Sequence, residues 1–239
     1  VNAVARGDLA ARLGSARGLR LQTIYLAICS AFLLLSLPPE IGRIDLRDAN
    51  LLLALLAVQV VAVTYLTSAV SCTELALEGE KALPDLALSA FPPRMIAAGK
   101  AVSGALYAAY LLAIGLPVFV LAAALRGAPL APIAWATLLS LSLATAAGTW
   151  GAWLSGRFAS DFTRSFAHWS FLGVLLGATA LLPAEWWPAN PIRVVDVIVR
   201  EGWTPWLLVA IAGYLSLAGA GLVLTRRYVE HSRSHGDGV

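Results

Sequence analysis

Charge is scarce in this chain: Asp, Glu, Lys and Arg make up 13% of its 239 residues, about half the share found in a water-soluble domain. With 59% hydrophobic residues and a mean hydropathy of +0.77, a soluble globule is excluded. A membrane-embedded chain remains. Cysteine is nearly absent as well. Cys29 sits inside an apolar run and Cys72 just past the end of one, so both read as small packing residues and a disulfide scaffold is excluded. His168, His231 and His235 form no cluster near either thiol, which argues against a metal site at ligand spacing.

Catalytic signatures are missing too. A GxxxxGK[ST] phosphate loop fails because Ala101 follows Gly99 and Lys100, and Arg94 stands where the first glycine is needed. Neither a HExxH helix nor a GxSxG elbow occurs. His168, beside Trp169, reads as an interfacial residue rather than a catalytic base. A charge at mid-bilayer costs about 2.5 to 3.5 kcal/mol, and the apolar stretches hold essentially none, which disfavours an ion or proton relay. Their main polar groups are Gln59, Thr64, Tyr65, Ser103, Tyr107, Tyr110, Ser140, Ser142 and Thr145. These residues line a passage or, more simply, glue helices together.

What the chain has is apolar length. A bilayer core about 30 Å thick takes about twenty residues per helix, and six stretches qualify: 21–37, 50–70, 101–125, 131–154, 169–182 and 206–225. The fifth is short. The expected fold is therefore an all-α integral membrane protein with six transmembrane helices in one polytopic domain, 1–239. The first stretch is too long for a signal-peptide core and is expected to stay in the membrane. An even number of spans places both termini on one side. Of the 17 Lys and Arg residues, 12 fall in the N-terminal segment, the loops after spans two and four, and the tail, so the positive-inside rule puts the termini in the cytoplasm of a cell with an inner (plasma) membrane address. The net charge of +3 is thus an orientation signal, and nucleic acid is not an expected partner. Trp186, Trp187, Trp203 and Trp206 flank the last outer loop, while Trp150, Trp153 and Trp169 lie near the inner ends of spans four and five, as two interfacial belts would require.

Three segments are more than spans. In residues 1–20, Arg6, Arg12, Arg17 and Arg20 alternate with Val4, Leu9, Leu13 and Leu19. This order suits an amphipathic helix lying in the interface with its arginines on lipid phosphate, or else a basic flank that only sets topology; Gly14 and Gly18 weaken the helix. In residues 71–100, Glu74 and Glu78 are four apart and Lys81 follows. Pro84 breaks that helix, Leu86, Leu88 and Phe91 form an apolar patch, and Pro92 and Pro93 break the chain again before Arg94 and Lys100. The pattern suits a docking knob for a soluble partner or an ordinary connecting loop. Residues 183–205 are too short to span yet too apolar for a solvated loop, so they form a re-entrant segment or a small surface helix. Gly173 and Gly177 form a GxxxG, and small residues from Ala144 to Gly151 crowd the fourth span; both favour close helix approach, within a subunit or across a dimer.

The order of these parts resembles the membrane subunit of ABC-2 type exporters: a basic N-terminus reading NAVARGDLAARLGSARG, six spans, and after the second span the acidic stretch Glu74, Glu78, Glu80 and Lys81, the patch from Leu86 to Leu88, Pro92 with Pro93, and Gly99 with Lys100. The sequence departs from the family at 82–84, where Gly-Thr and a leucine are common. The resemblance implies that the loop after span two holds a cytoplasmic coupling helix fitting a separate ABC ATPase, with Glu74, Glu78, Glu80, Lys81, Leu86, Leu88, Phe91, Arg94 and Lys100 as its contacts. It also implies an interfacial helix bearing Arg6, Arg12, Arg17 and Arg20, and an outer gate at Trp186, Trp187, Pro191 and Arg193 within the re-entrant segment between spans five and six. Two permease subunits, identical or not, would pair. ATP and Mg would sit on the partner, with no cofactor and no enzymatic activity in this chain. The alternatives are an integral membrane enzyme acting on lipid and a non-transporting anchor of a complex.

Overall fold

A computed structural model describes residues 3–35, 49–81, 92–126, 129–158 and 160–236. Among them the chain is all-helical. Eight α-helices follow in order: α1 Ala3–Gly14, α2 Ala16–Leu35, α3 Ala49–Lys81, α4 Pro93–Arg126, α5 Ala131–Arg157, α6 Asp161–Leu172, α7 Pro191–Glu201 and α8 Pro205–Gly236. A π-helical turn, Gly173–Gly177, and a 3-10 turn, Ala178–Leu181, prolong α6, and a second 3-10 turn, Ala184–Ala189, leads to α7. Four stretches are long and apolar enough to cross a membrane: Leu52–Cys72, Pro93–Ala124, Ala131–Arg157 and Pro205–His231.

Proline starts several of these helices. Pro93, Pro191 and Pro205 are first residues and Pro132 is the second residue of α5, positions where a missing N–H costs nothing and a preset φ helps. Ser15 separates α1 from α2, and its Oγ accepts the Gly18 N–H at 2.9 Å, the bond of an N-cap. Gly18 does not weaken the helix here. A Cβ at Gly18 would collide with the Arg12 carbonyl oxygen, so glycine allows the tight elbow that folds α1 back. At the other end Gly202, with φ of +81°, closes α7, a backbone state that other residues resist.

The core forms around α5, which packs against α3 on one side and α8 on the other. Leu55, Leu56, Val60 and Val63 of α3 meet Leu139, Leu143, Ala146 and Ala147 of α5, all buried. Small residues set the spacing. A Cβ at Gly151 would lie 2.7 Å from the Ser68 carbonyl oxygen, and one at Gly221 would lie 2.7 Å from the Thr149 hydroxyl. The small-residue density of the fourth stretch therefore serves close packing within the chain. Trp150 adds a bond from its indole N–H to the Leu217 carbonyl at 2.9 Å.

Most hydroxyls in the apolar helices turn back on their own backbone. Ser140, Ser142 and Thr145 donate to carbonyls three or four residues earlier, and Ser103 donates to Lys100. They glue no helices. Tyr110 does bridge, donating to Gln22 of α2 at 3.4 Å.

Candidate functional site

Two polar or open regions stand out against this apolar bundle, and the first lies where α1 meets α3 and α4. Helix α1 turns Ala5, Asp8, Leu9 and Arg12 toward the bundle, residues that recur at three- and four-residue spacing. The Lys100 ammonium of α4 lies 3.0 Å from the Asp8 carboxylate, with 2% and 14% of the two side chains exposed. One turn on, the Arg12 guanidinium donates to Ser71 of α3 at 3.3 Å and sits 5.8 Å over the Tyr107 ring. Gly104 borders the site, where a Cβ would stand at ordinary contact distance, 3.7 Å, from both the guanidinium and the Ser71 hydroxyl. Desolvating such charges is costly unless partners and π-faces compensate. The arrangement straps α1 to the root of both helices that flank residues 82–91.

The expected roles change accordingly. Arg12 was expected on lipid phosphate with Arg6 and Arg20; it is buried, because Ser71 and Tyr107 offer it a polar and aromatic socket, while Arg6 and Arg20 are exposed. Lys100, expected on a coupling surface, is 3% exposed and turned inward onto Asp8. Arg94 is exposed on the first turn of α4. Glu74, Glu78, Glu80 and Lys81 lie on the helical backbone of α3, but their side chains, like that of Arg17, lie outside the described residues. So do Leu86, Leu88 and Phe91 altogether. Asp8 was missed. Its signal was present, as the lone acid among the four arginines of the first twenty residues and one turn from Arg12.

The second region is a groove of about 710 Å³ with α3 as its floor and α2 and α6 as its walls. Ala57, Val61 and Ala62 form the floor; Ile24 and Ile28 rise on one side, Trp169 and Leu176 on the other. Trp169 stacks on Tyr65 at 5.1 Å. Gly173 and Gly177 open onto this groove, and a Cβ on either would meet nothing within 4 Å, so the GxxxG is not used for packing among the described residues of this chain. Behind the wall, His168 is buried, and its Nε2 lies 2.8 Å from Ser68 Oγ. Ser68 is 0% exposed, so the pair ties α6 to α3 and offers no reachable nucleophile.

Beyond the groove the chain runs through the 3-10 turns into α7. Val194, Val195 and Ile198 are fully buried on one face of α7, which packs on α3 and α5. Asn190 organises the segment. Its Oδ1 accepts the Arg193 N–H at 2.9 Å, while its Nδ2 donates to Thr179 Oγ1 at 3.0 Å and to the Leu176 carbonyl at 3.4 Å. Of the expected gate residues, Pro191 is buried, Arg193 and Trp186 are exposed, and Trp187 packs edge-on against Trp206 at 6.3 Å. Asn190 was missed, although Asn before Pro is a readable helix start. No protein-family model matches the chain, and no curated protein is significantly similar to it.

Proposed function

We propose that this protein is the permease subunit of an ATP-driven exporter of the ABC-2 type, with α2 and the α6 segment as first and fifth of six spans. Its termini are cytoplasmic in the plasma membrane, and residues 82–91 dock on a separate ATPase subunit. A second permease subunit pairs with this one to form the passage, and residues 183–205 form a re-entrant outer gate.

The observation that carries this reading is the shape of the α3–α4 pair. Helix α3 has 33 residues, of which Leu52–Cys72 are enough to span; residues 73–81 continue the helix for about 13 Å. Helix α4 has 34 residues, about 51 Å against a core of about 30 Å. Both helices flanking the 82–91 segment are thus longer than a span requires, and Asp8–Lys100 with Arg12–Ser71 ties a third helix to them. A partner that binds the segment differently in two nucleotide states would move all three as one body.

The test is co-expression with a Walker-type ATPase subunit that co-purifies with this chain, followed by reconstitution. ATP-dependent flux is expected from the pair and no ATP turnover from the purified chain alone. Replacing Glu78 and Glu80 by Lys is expected to lower stimulated ATP hydrolysis at least several-fold with membrane insertion unchanged. Nucleotide or lipid turnover by the isolated chain would overturn the reading in favour of an enzyme, and assembly without flux would favour an anchor.

A further inference from the structure

We propose that the groove between α2, α3 and α6 binds one acyl chain of an anionic phospholipid, with its phosphate held at Arg20. The proposal needs only that the long apolar helices lie in a bilayer, and it stands whether or not an ATPase drives the chain.

Length is the first argument. Along α3 the groove runs from Ala57 to Leu66, about 14 Å at 1.5 Å per residue. Half of a hydrocarbon core of about 30 Å is about 15 Å, so the groove matches one leaflet. Leu21, Leu66 and Trp169 mark the end nearer α1, and Ile28, Ala57 and Gly177 mark the opposite end.

Chemistry is the second. The groove is lined by apolar side chains and the rings of Tyr25, Tyr65 and Trp169, without a charged residue. Hydrocarbon suits such a wall and a polar cargo does not. Just beyond the entrance, Arg20 precedes Leu21 and stands one turn before Ile24, with its side chain exposed. Among the described residues it makes no ion pair. Asp8, the acid nearest in sequence, is already held by Lys100. An apolar trench one leaflet long with a cation at its rim is complementary to a lipid carrying a negative headgroup.

Charge also weighs against the rival occupant, a second copy closed directly over the groove. A twofold pairing about an axis along the membrane normal repeats every residue at the same depth. It would bring a second Arg20 to the same rim and seal two cations into one interface. An intervening anionic lipid removes that repulsion.

The test uses Trp169 as the reporter in the full chain, reconstituted in phosphatidylcholine bilayers. Brominated phosphatidylglycerol or brominated phosphatidylcholine is titrated in, and the Trp169 signal is isolated by subtracting a Trp169→Phe variant. A preference of about fivefold for the anionic lipid is expected, the factor that one basic residue at the surface contributes. Arg20→Gln is expected to abolish the preference while leaving quenching. Gly173→Leu, which extends into open space in the groove, is expected to reduce quenching by both lipids. Equal quenching by the two lipids, or a preference that survives Arg20→Gln, overturns the proposal. Absence of quenching together with disulfide cross-linking of a Gly177→Cys variant to a second copy overturns it in favour of a closed dimer.

Discussion

The two ends of the bundle are fastened in opposite ways. At the α1 end the bonds involve charged groups and are buried: the ion pair of Lys100 with Asp8 at 3.0 Å and the Arg12 guanidinium donating to Ser71 at 3.3 Å. At the α7 end they are neutral, centred on the Asn190 amide, the Tyr214 hydroxyl donating to the Ala189 carbonyl at 3.1 Å, and the buried valines of α7. Removing one partner of a buried ion pair leaves an uncompensated charge, whereas removing one neutral partner costs about the value of a hydrogen bond. The α1 end is thus the costlier of the two to open. The α7 end opens at more modest cost.

The contrast breaks most sharply at Lys100. Lys100→Ala strands the Asp8 carboxylate against the bundle and is expected to cost about 3 kcal/mol, read as a lower thermal midpoint in detergent and faster proteolysis within residues 1–20. The exchange Asp8→Lys with Lys100→Asp is expected to recover at least half of the loss. Raising salt from 0.1 to 1 M is expected to leave the parent unchanged, because a pair with 2% and 14% exposure lies out of reach of screening ions. Failure of the exchange to recover stability would mean that shape, not charge, joins α1 to α4.

Asn190→Ala tests the other end. It removes the cap of α7 and its ties to the π-helical and 3-10 turns, at an expected cost of about 1 to 2 kcal/mol. Hydrogen exchange is expected to rise about tenfold across 173–201 and to stay unchanged in α1 and α4. A rise at both ends would show that the two fastenings are one cooperative unit.

How much of this was readable from sequence depends on whether the cause lies near in the chain. The all-helical membrane class follows from composition, and four of the six expected stretches coincide with long apolar helices. Hydropathy reports where lipid can be, not where the helix stops: Ala101 was expected to open the third stretch, yet α4 starts at Pro93 and carries Lys100 on its third turn. The strap was hidden because Asp8 and Lys100 are 92 residues apart, and no local pattern tells an arginine aimed at phosphate from one aimed at Ser71. Hydroxyl roles were hidden for a different reason. Ser140 and Ser142 bond to carbonyls in their own helix, an option open to any helical serine, so their presence alone did not separate pore, glue and backbone.

The smallest effect is expected on the solvent face of α7, and it sharpens the comparison because charge is present there too. Arg200 and Asp196 pair at 2.5 Å, one turn apart, with 53% and 39% of their side chains exposed. Exposed pairs of this kind contribute a few tenths of a kcal/mol and are screened by salt. Arg200→Gln is therefore expected to shift stability by less than about 0.5 kcal/mol, and that shift is expected to vanish in 1 M salt. Charge fastens the α1 end because it is buried there, not because it is charge: if Arg200→Gln cost as much as Lys100→Ala, burial would not be the variable that separates the two ends.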